Sequence, residues 1–356
     1  MGARVGPRTT VGPVTASEQA EGQDRVAPAH LDGPVHRDGP ARSDVHVYRV
    51  RLRTRFRGLT SRDGVLIRGE AGWGEFSPFW DYDHAEARSW WQAALEAADV
   101  GWPAAVRESV PVNVTVPAVD AATARRIVEA SGGCRTAKVK VAERGQDLSA
   151  EVERLEAVRD ALGPHGRIRV DANGGWDVDT ALTRIAVLDR AAGGLEYVEQ
   201  PCATVEELAA VRRRTAVLVA ADESVRRAED PFAVVRAHAA DIVVLKVQPL
   251  GGVRACLDLA ERLGLPVVVS SALETSVGLA AGIALAAALP DLPYDCGLAT
   301  AQLLQEDVVP DPLLPVGGAI PVRRPEPSSA LLAAHRADGD LTRRWSDRLA
   351  AVRGLP

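Results

Sequence analysis

Of the 42 lysines and arginines in this 356-residue chain, only three are lysine: Lys138, Lys140 and Lys246. A guanidinium stays protonated at any working pH, whereas an ammonium loses its proton when its surroundings lower its pKa. A chain that writes nearly all its positive charge as arginine is therefore expected to need an amine at those three places. All three lie in short β-branched runs, Thr136-Ala-Lys138-Val-Lys140-Val141 and Ile242-Val-Val-Leu-Lys246-Val247. Between them, three runs of the same type end in acid. These are Arg167-Ile-Arg-Val-Asp171-Ala-Asn173, Leu195-Glu-Tyr-Val-Glu199-Gln-Pro201 and Val217-Leu-Val-Ala-Ala-Asp222-Glu-Ser224.

Asp171, Glu199 and Asp222 have no His or Cys among them. Three carboxylates about 5 Å apart repel by roughly 3 kcal/mol per pair at an effective dielectric near 20, so either some are protonated or a cation sits between them. Oxygen ligands with open positions favour a hard cation; Mg2+ fits better than Zn2+, and Mn2+ can substitute. Lys138 and Lys140 are two apart on one strand, which puts both amines on one face roughly 6.5–7 Å apart. Their repulsion, about 2 kcal/mol, lowers an amine by about 1.5 pKa units. A nearby divalent cation and partial burial must supply the rest of the way to neutrality. An amine facing a metal-held carboxylate suits removal of a proton next to that carboxylate, with the metal stabilising the enediolate. Lys246 is then a second acid/base or a fixed positive charge. Asn173, one of two asparagines in the chain, is a candidate to orient a ligand, or else a turn residue at a strand end.

The elements that must position these groups follow from the spacing. Lys140 to Asp171 is 31 residues, Asp171 to Glu199 is 28, Glu199 to Asp222 is 23 and Asp222 to Lys246 is 24. A strand, a helix and two loops need about this length in a (β/α)8 barrel, where strand ends converge on one mouth. The alternative is five unrelated surface charges that each happen to follow a strand in the same register. Helices are expected near 121–130, 148–162, 177–191, 204–214, 231–238, 252–263 and 276–289, with a capping box at Thr204 and Glu207. Strands are expected over 110–116, over 266–271 and, briefly, over 294–297. Gly251 and Gly252 give a weak signal for a phosphate site at a helix N-terminus.

The predicted class is α/β: a modified TIM barrel, (β/α)7β, over residues 110–302, with an α+β capping domain over 44–109. The cap reads as alternating strands from Val45, a hairpin through Gly69-Glu70, and a helix near 84–98 carrying Trp90 and Trp91. Residues 57–62 are expected as a flexible loop able to reach over the mouth, which makes Arg57 and Gly58 candidates for substrate binding; a plain solvent loop is the alternative. Residues 303–356 are expected to return to the cap through a strand over 314–322 and to end in a helix. Residues 1–43 are rich in Gly, Pro, Ala and charge without apolar periodicity and are expected to be disordered. A start codon near Val45, where it would read as valine, is a second account of that segment.

A net charge of −6 speaks against nucleic acid as partner. Four cysteines without C-x-x-C pairing fit a reduced, cytoplasmic setting. No apolar run is long enough to span a bilayer. The partner class is a small-molecule carboxylate, and oligomeric state is not legible.

Lys138-Val-Lys140, Val170-Asp171-Ala-Asn173, Val198-Glu199-Gln-Pro201, Ala221-Asp222-Glu-Ser224 and Val244-Leu-Lys246 resemble, in order and placement, the enolase superfamily in its muconate-lactonizing-enzyme subgroup. The resemblance covers about Val45 to Val322. Three stretches, Arg53-Thr-Arg-Phe-Arg-Gly58, Gly72-Trp-Gly-Glu-Phe-Ser-Pro78 and Ser270-Ser-Ala-Leu-Glu-Thr-Ser-Val-Gly278, narrow it to an actinobacterial dehydrating branch. The resemblance implies that Asp171, Glu199 and Asp222 bind Mg2+. It implies that Lys140 takes the α-proton of a 2-succinyl-6-hydroxy-cyclohexadiene carboxylate and returns it to the leaving hydroxyl, on the way to menaquinone. Lys246 would stabilise the enediolate, and Ser270 and Ser271 would help bind the succinyl carboxylate. Racemisation of N-succinylamino acids on the same scaffold stays open, with Lys140 and Lys246 as bases on opposite faces. A Schiff-base lyase using Lys246 leaves the carboxylates without a role, and a non-catalytic binding barrel leaves the lysines without one.

Overall fold

The computed structural model describes residues 45–355. The segment 1–43, expected to be disordered, lies outside the described residues. Strand β1 (Val45–Phe56) buries Tyr48, Val50 and Leu52 while Arg49, Arg51 and Arg53 face out, the alternation of a half-covered strand. It pairs antiparallel with β2 (Leu59–Gly69), which pairs with β3 (Gly72–Phe76). Residues 59–62 thus belong to β2, and the flexible loop expected over 57–62 is the two-residue tip of a hairpin. Arg57 (φ 50°) and Gly58 (φ 77°) both take positive φ, as tight hairpin turns that match the strand twist require.

Helix α1 (His84–Leu95) starts on a capping box of Asp83 and Glu86 and continues as a π turn, Glu96–Val100. It buries Trp90 and Trp91 against the sheet, where Phe76 meets Trp91 edge-on.

β4 (Ser109–Pro111) and β5 (Val114–Val116) split the single strand expected over 110–116. The split has a reason: β4 pairs with a distant strand, while Val112 pairs with Cys296. Then come α2 (Ala121–Glu129), β6 (Thr136–Lys140), α3 (Leu148–Leu162), β7 (Arg167–Asp171), α4 (Val178–Ala192), β8 (Tyr197–Glu199) and α5 (Val205–Arg212). Asp120, Asp147, Asp177 and Thr204 each accept a backbone N–H at the start of their helix, Thr204 in a full capping box with Glu207. β9 (Val219–Ala221) leads into α6 (Glu223–Arg226), a single turn that was not expected, and α7 (Ala233–Arg236), a single turn where a longer helix over 231–238 was expected. β10 (Ile242–Leu245), α8 (Val253–Leu263), β11 (Val267–Val269) and α9 (Ser276–Ala288) complete the repeat.

Strands β5 to β11 form one parallel sheet in sequence order. The expected eighth strand is reduced to two bridges, Val112 with Cys296 and Ser270 with Gly297, which join the sheet's two edges and close the barrel. The strand parity decides what points inward. Ile168, Val170, Val198, Val243 and Leu245 pack outward with the helices, while Tyr197, Ala220, Ile242, Val244 and Val268 form a separate apolar cluster. A period of two then sends Lys138, Lys140, Asp171, Glu199, Asp222, Lys246 and Ser270 to the interior.

After a 3-10 turn (Ala299–Leu303), β12 (Ala319–Pro321) pairs with β4. The strand expected to return to the cap therefore pairs instead with β4, the short strand that leads into β5. The return is made by helices, α10 (Ser329–Ala334) and α11 (Gly339–Arg353), whose Trp345 packs edge-on against Phe76. All four cysteines are buried and free.

Candidate active site

Parallel register sets the acidic row. Lys140 stands opposite Asp171 on β6 and β7, and Asp171 opposite Glu199 on β7 and β8. Asp222 follows β9 directly, and Lys246 follows β10. All three carboxylates are at most 1% exposed.

Each carboxylate is turned onto an amine. Lys138 Nζ donates to Glu199 Oε1 at 2.9 Å and Oε2 at 3.1 Å, and lies 3.3 Å from Asp171 Oδ2. Lys140 Nζ donates to Asp171 Oδ2 at 2.5 Å and to Asn173 Oδ1 at 2.7 Å. Lys246 Nζ donates to Asp222 Oδ2 at 2.6 Å, and Arg226 Nε to Asp222 Oδ1 at 2.8 Å.

The electrostatics follow from burial first and neighbours second. Burial pushes Asp171 up, but the Lys140 and Lys138 ammoniums overcome it and hold the carboxyl well below its usual range. Asp222 is likewise held low by Arg226 and Lys246 against its burial. Glu199 goes the other way: burial, then the charge of Asp171, push it up to about 7 despite Lys138. Burial lowers Lys246, and Asp222 only partly offsets this. For Lys138 burial is outweighed by Glu199 and Asp171, so its pKa rises. The depression expected from the Lys138–Lys140 pair is therefore reversed at Lys138, because that amine is paired with two carboxylates, Glu199 and Asp171.

Among the described residues no three of His, Cys, Asp and Glu are gathered as a finished metal cage. The donors still fit a hard divalent cation. They are oxygen only, they come from three adjacent strands, and the charges of Asp171 and Asp222 both raise the proton affinity of Glu199, so this spot favours positive charge.

The pocket over this row is lined by Lys138, Lys140, Asn173, Lys246, Ser270 and Ser271 on the barrel side, and by Arg57 on the cap side. Gly58 does not line it; it turns the hairpin tip that carries Arg57. Ser271 Oγ lies 2.6 Å from Thr300 Oγ1, and Ser270 Oγ donates to Gly297 O at 3.5 Å. Asn173 takes φ 46°, and its N–H donates to Asp171 Oδ1 at 3.1 Å.

Several lining residues were not singled out from the sequence. Thr115 pairs with Lys138 in register, so strand parity could have found it. Phe56, Phe79 and Thr300 also line the pocket. The guanidiniums of Arg57 (4.5 Å) and Arg62 (4.4 Å) both stack on the Phe79 ring, a contact that no local pattern encodes. The phosphate site suggested by Gly251 and Gly252 is occupied by protein: Glu96 of the cap accepts from Val253 N and Arg254 N at the start of α8.

A capped barrel with lysines on two strands and three carboxylates on the strands between defines a class. Residues 119–327 match the family described as enolase C-terminal domain-like, and residues 47–98 match enolase N-terminal domain-like. The chain belongs to this enolase-like family. It is 66% identical over 306 residues to the o-succinylbenzoate synthase of Thermobifida fusca, covering 86% of this chain and 95% of that one. It is 52% identical over 311 residues to the o-succinylbenzoate synthase of Mycolicibacterium smegmatis, covering 87% and 95%. The muconate lactonizing enzyme of Pseudomonas fluorescens shares the fold with a TM-score of 0.71 at 21% identity, covering 83% of this chain and 98% of that one.

Proposed function

We propose that this chain catalyses the reaction of its o-succinylbenzoate synthase relatives, a dehydration begun by proton abstraction α to a carboxylate, with Mg2+ as the metal. The observation that carries the reading is the pair of amines flanking one row of carboxylates, Lys140 on Asp171 and Lys246 on Asp222, with Glu199 between. When bound by Asp171, Glu199 and Asp222, the cation supplies Lewis acidity to the substrate carboxylate, and its charge favours the neutral form of nearby amines.

In its neutral form Lys140 Nζ takes the α-proton as general base. The ammonium so formed gives that proton to the β-hydroxyl leaving from the same face. Water departs, the new double bond forms, and Lys140 ends neutral. Lys246 faces the developing negative charge as a cation. Asn173 holds Lys140 in place, and Arg57 with Ser270 and Ser271 offers donors to a second, remote carboxylate. The cap closes the barrel mouth with Phe56 and Phe79, which limits water at the reacting carbon.

One observation favours a second reading. Amines on both sides of the carboxylate row also suit racemisation of an N-succinylamino acid. Purified protein assayed with Mg2+ on the cyclohexadiene carboxylate and on N-succinylamino acids separates the two. Dehydration abolished by EDTA and restored by Mg2+ is expected; full dehydration after exhaustive chelation removes the metal mechanism, and racemisation without dehydration selects the second reading.

A further inference from the structure

Asp222 is held from behind by a residue that the reaction does not consume. Arg226 lies four residues on, at the end of the single turn α6, and its side chain is 2% exposed. Its guanidinium spends each nitrogen on a different partner. Nε donates to Asp222 Oδ1 at 2.8 Å, Nη2 to Glu223 Oε1 at 2.6 Å, and Nη1 to Tyr82 Oη. A planar guanidinium fixes the angles between such partners as well as their distances.

Tyr82 belongs to the cap, in the stretch between β3 and α1, and it is itself immobilised. Its ring meets Trp90 edge-on with centroids 5.7 Å apart, and Arg227 stacks on it at 4.5 Å. The chain of contacts also runs sideways. Glu223 Oε1 accepts from Asn173 Nδ2 at 3.1 Å, and Asn173 Oδ1 accepts from Lys140 at 2.7 Å.

We infer that Arg226 and Tyr82 are positioning residues for Asp222: the cap-borne phenol and the barrel-borne guanidinium hold Oδ1 so that Oδ2 stays aimed at Lys246 and the cation. This deepens the proposed function and rests on its metal site. Carboxylate ligands are commonly held by such hydrogen-bonded supports, whose loss costs about 10- to 100-fold in metal affinity or activity. Here the support is shared between domains, which makes cap docking a condition for a well-formed ligand. A purely structural role, with Arg226 only tying the cap to the barrel, would show in stability and not in the metal.

The test titrates the full chain with Mn2+ alone, following free Mn2+ by electron paramagnetic resonance, beside thermal melting. Arg226→Gln is expected to raise the Mn2+ Kd about 10- to 100-fold, and Arg226→Lys to recover part of that loss. Tyr82→Phe keeps the packed ring and removes only the hydroxyl. It is expected to raise the Kd by a smaller factor, about threefold, with an unchanged Tm and with turnover restored by excess Mn2+. Wild-type Kd in Tyr82→Phe and Arg226→Gln, beside normal binding in the wild type, overturns the inference alone. If Arg226→Gln fails to fold, Tyr82→Phe decides. A wild-type chain that binds no Mn2+ overturns the metal reading and this inference with it.

Discussion

Lys140 and Lys246 each sit on a carboxylate, yet only one of them is asked to move a proton in both directions. In a dehydration that removes proton and hydroxyl from one face, one amine serves both steps, and the other need only stay positive. Lys246→Arg keeps that charge but adds bulk and removes usable basicity, so part of the dehydration survives. Lys140→Arg removes the base and is expected to lose about three orders of magnitude or more, within the range general bases contribute. Racemisation needs a base on each face, and there both substitutions are crippling. Exchange of the substrate α-proton with deuterated solvent, followed by NMR in each variant, reads this directly. Lys140→Arg exchanging as fast as wild type would falsify the assignment.

At the scale of elements, α9 shows how the cap is fastened to the barrel. Nearly all of its residues are buried, so the N–H groups at its start cannot turn to water. Glu75 of β3 accepts from Gly278 N at 3.0 Å and Thr275 Oγ1 at 2.5 Å, and Asp307 accepts from Ser276 N at 3.1 Å. Beside them Glu274 is pushed up to about 7, by burial first and then by the charge of Glu75, which the Arg62 guanidinium and the Ala272 N–H only partly offset. Its Oε2 has no hydrogen-bond partner among the described residues. A carboxyl whose folded pKa is raised binds more protons folded than unfolded. Its cost is absent below the unfolded value of 4.5, grows as pH rises, and is complete above about 7. Glu274→Gln should therefore gain stability over wild type between pH 5 and pH 8, by up to about 3 kcal/mol. Parallel curves of Tm against pH for the two proteins would refute this.

These junctions mark where sequence reading ends. Strand parity and spacing reach the seven barrel strands and their inward charges, because both are local and periodic. The turn α6 escapes because four residues carry no period, and with it goes Arg226. Tyr82 escapes because its partner lies 144 residues away. The 57–62 segment misleads because its polar residues read as a loop, whereas two positive φ values at Arg57 and Gly58 make it a hairpin tip.

For the whole molecule, the described residues 45–355 contain the cap, the barrel and the last helix, and the relative from Thermobifida fusca matches 306 residues at 95% of its own length. A chain shortened to begin near Asp44 is expected to fold and keep its kcat. A loss beyond about tenfold, roughly 1.4 kcal/mol of barrier, would mean that the first 43 residues act at the site.

The scarcity of lysine has a further consequence outside catalysis. All three lysine side chains are withdrawn into the barrel mouth, at 7%, 13% and 8% exposure for Lys138, Lys140 and Lys246. Among the described residues, the folded surface therefore presents no freely exposed lysine amine to an acylating reagent. Amine-directed crosslinkers and biotinylating reagents are therefore expected to leave these three lysines untouched while the ion pairs hold. The same reagents then become a direct gauge of whether the mouth is shut, because acylation begins only where the ion pairs have opened.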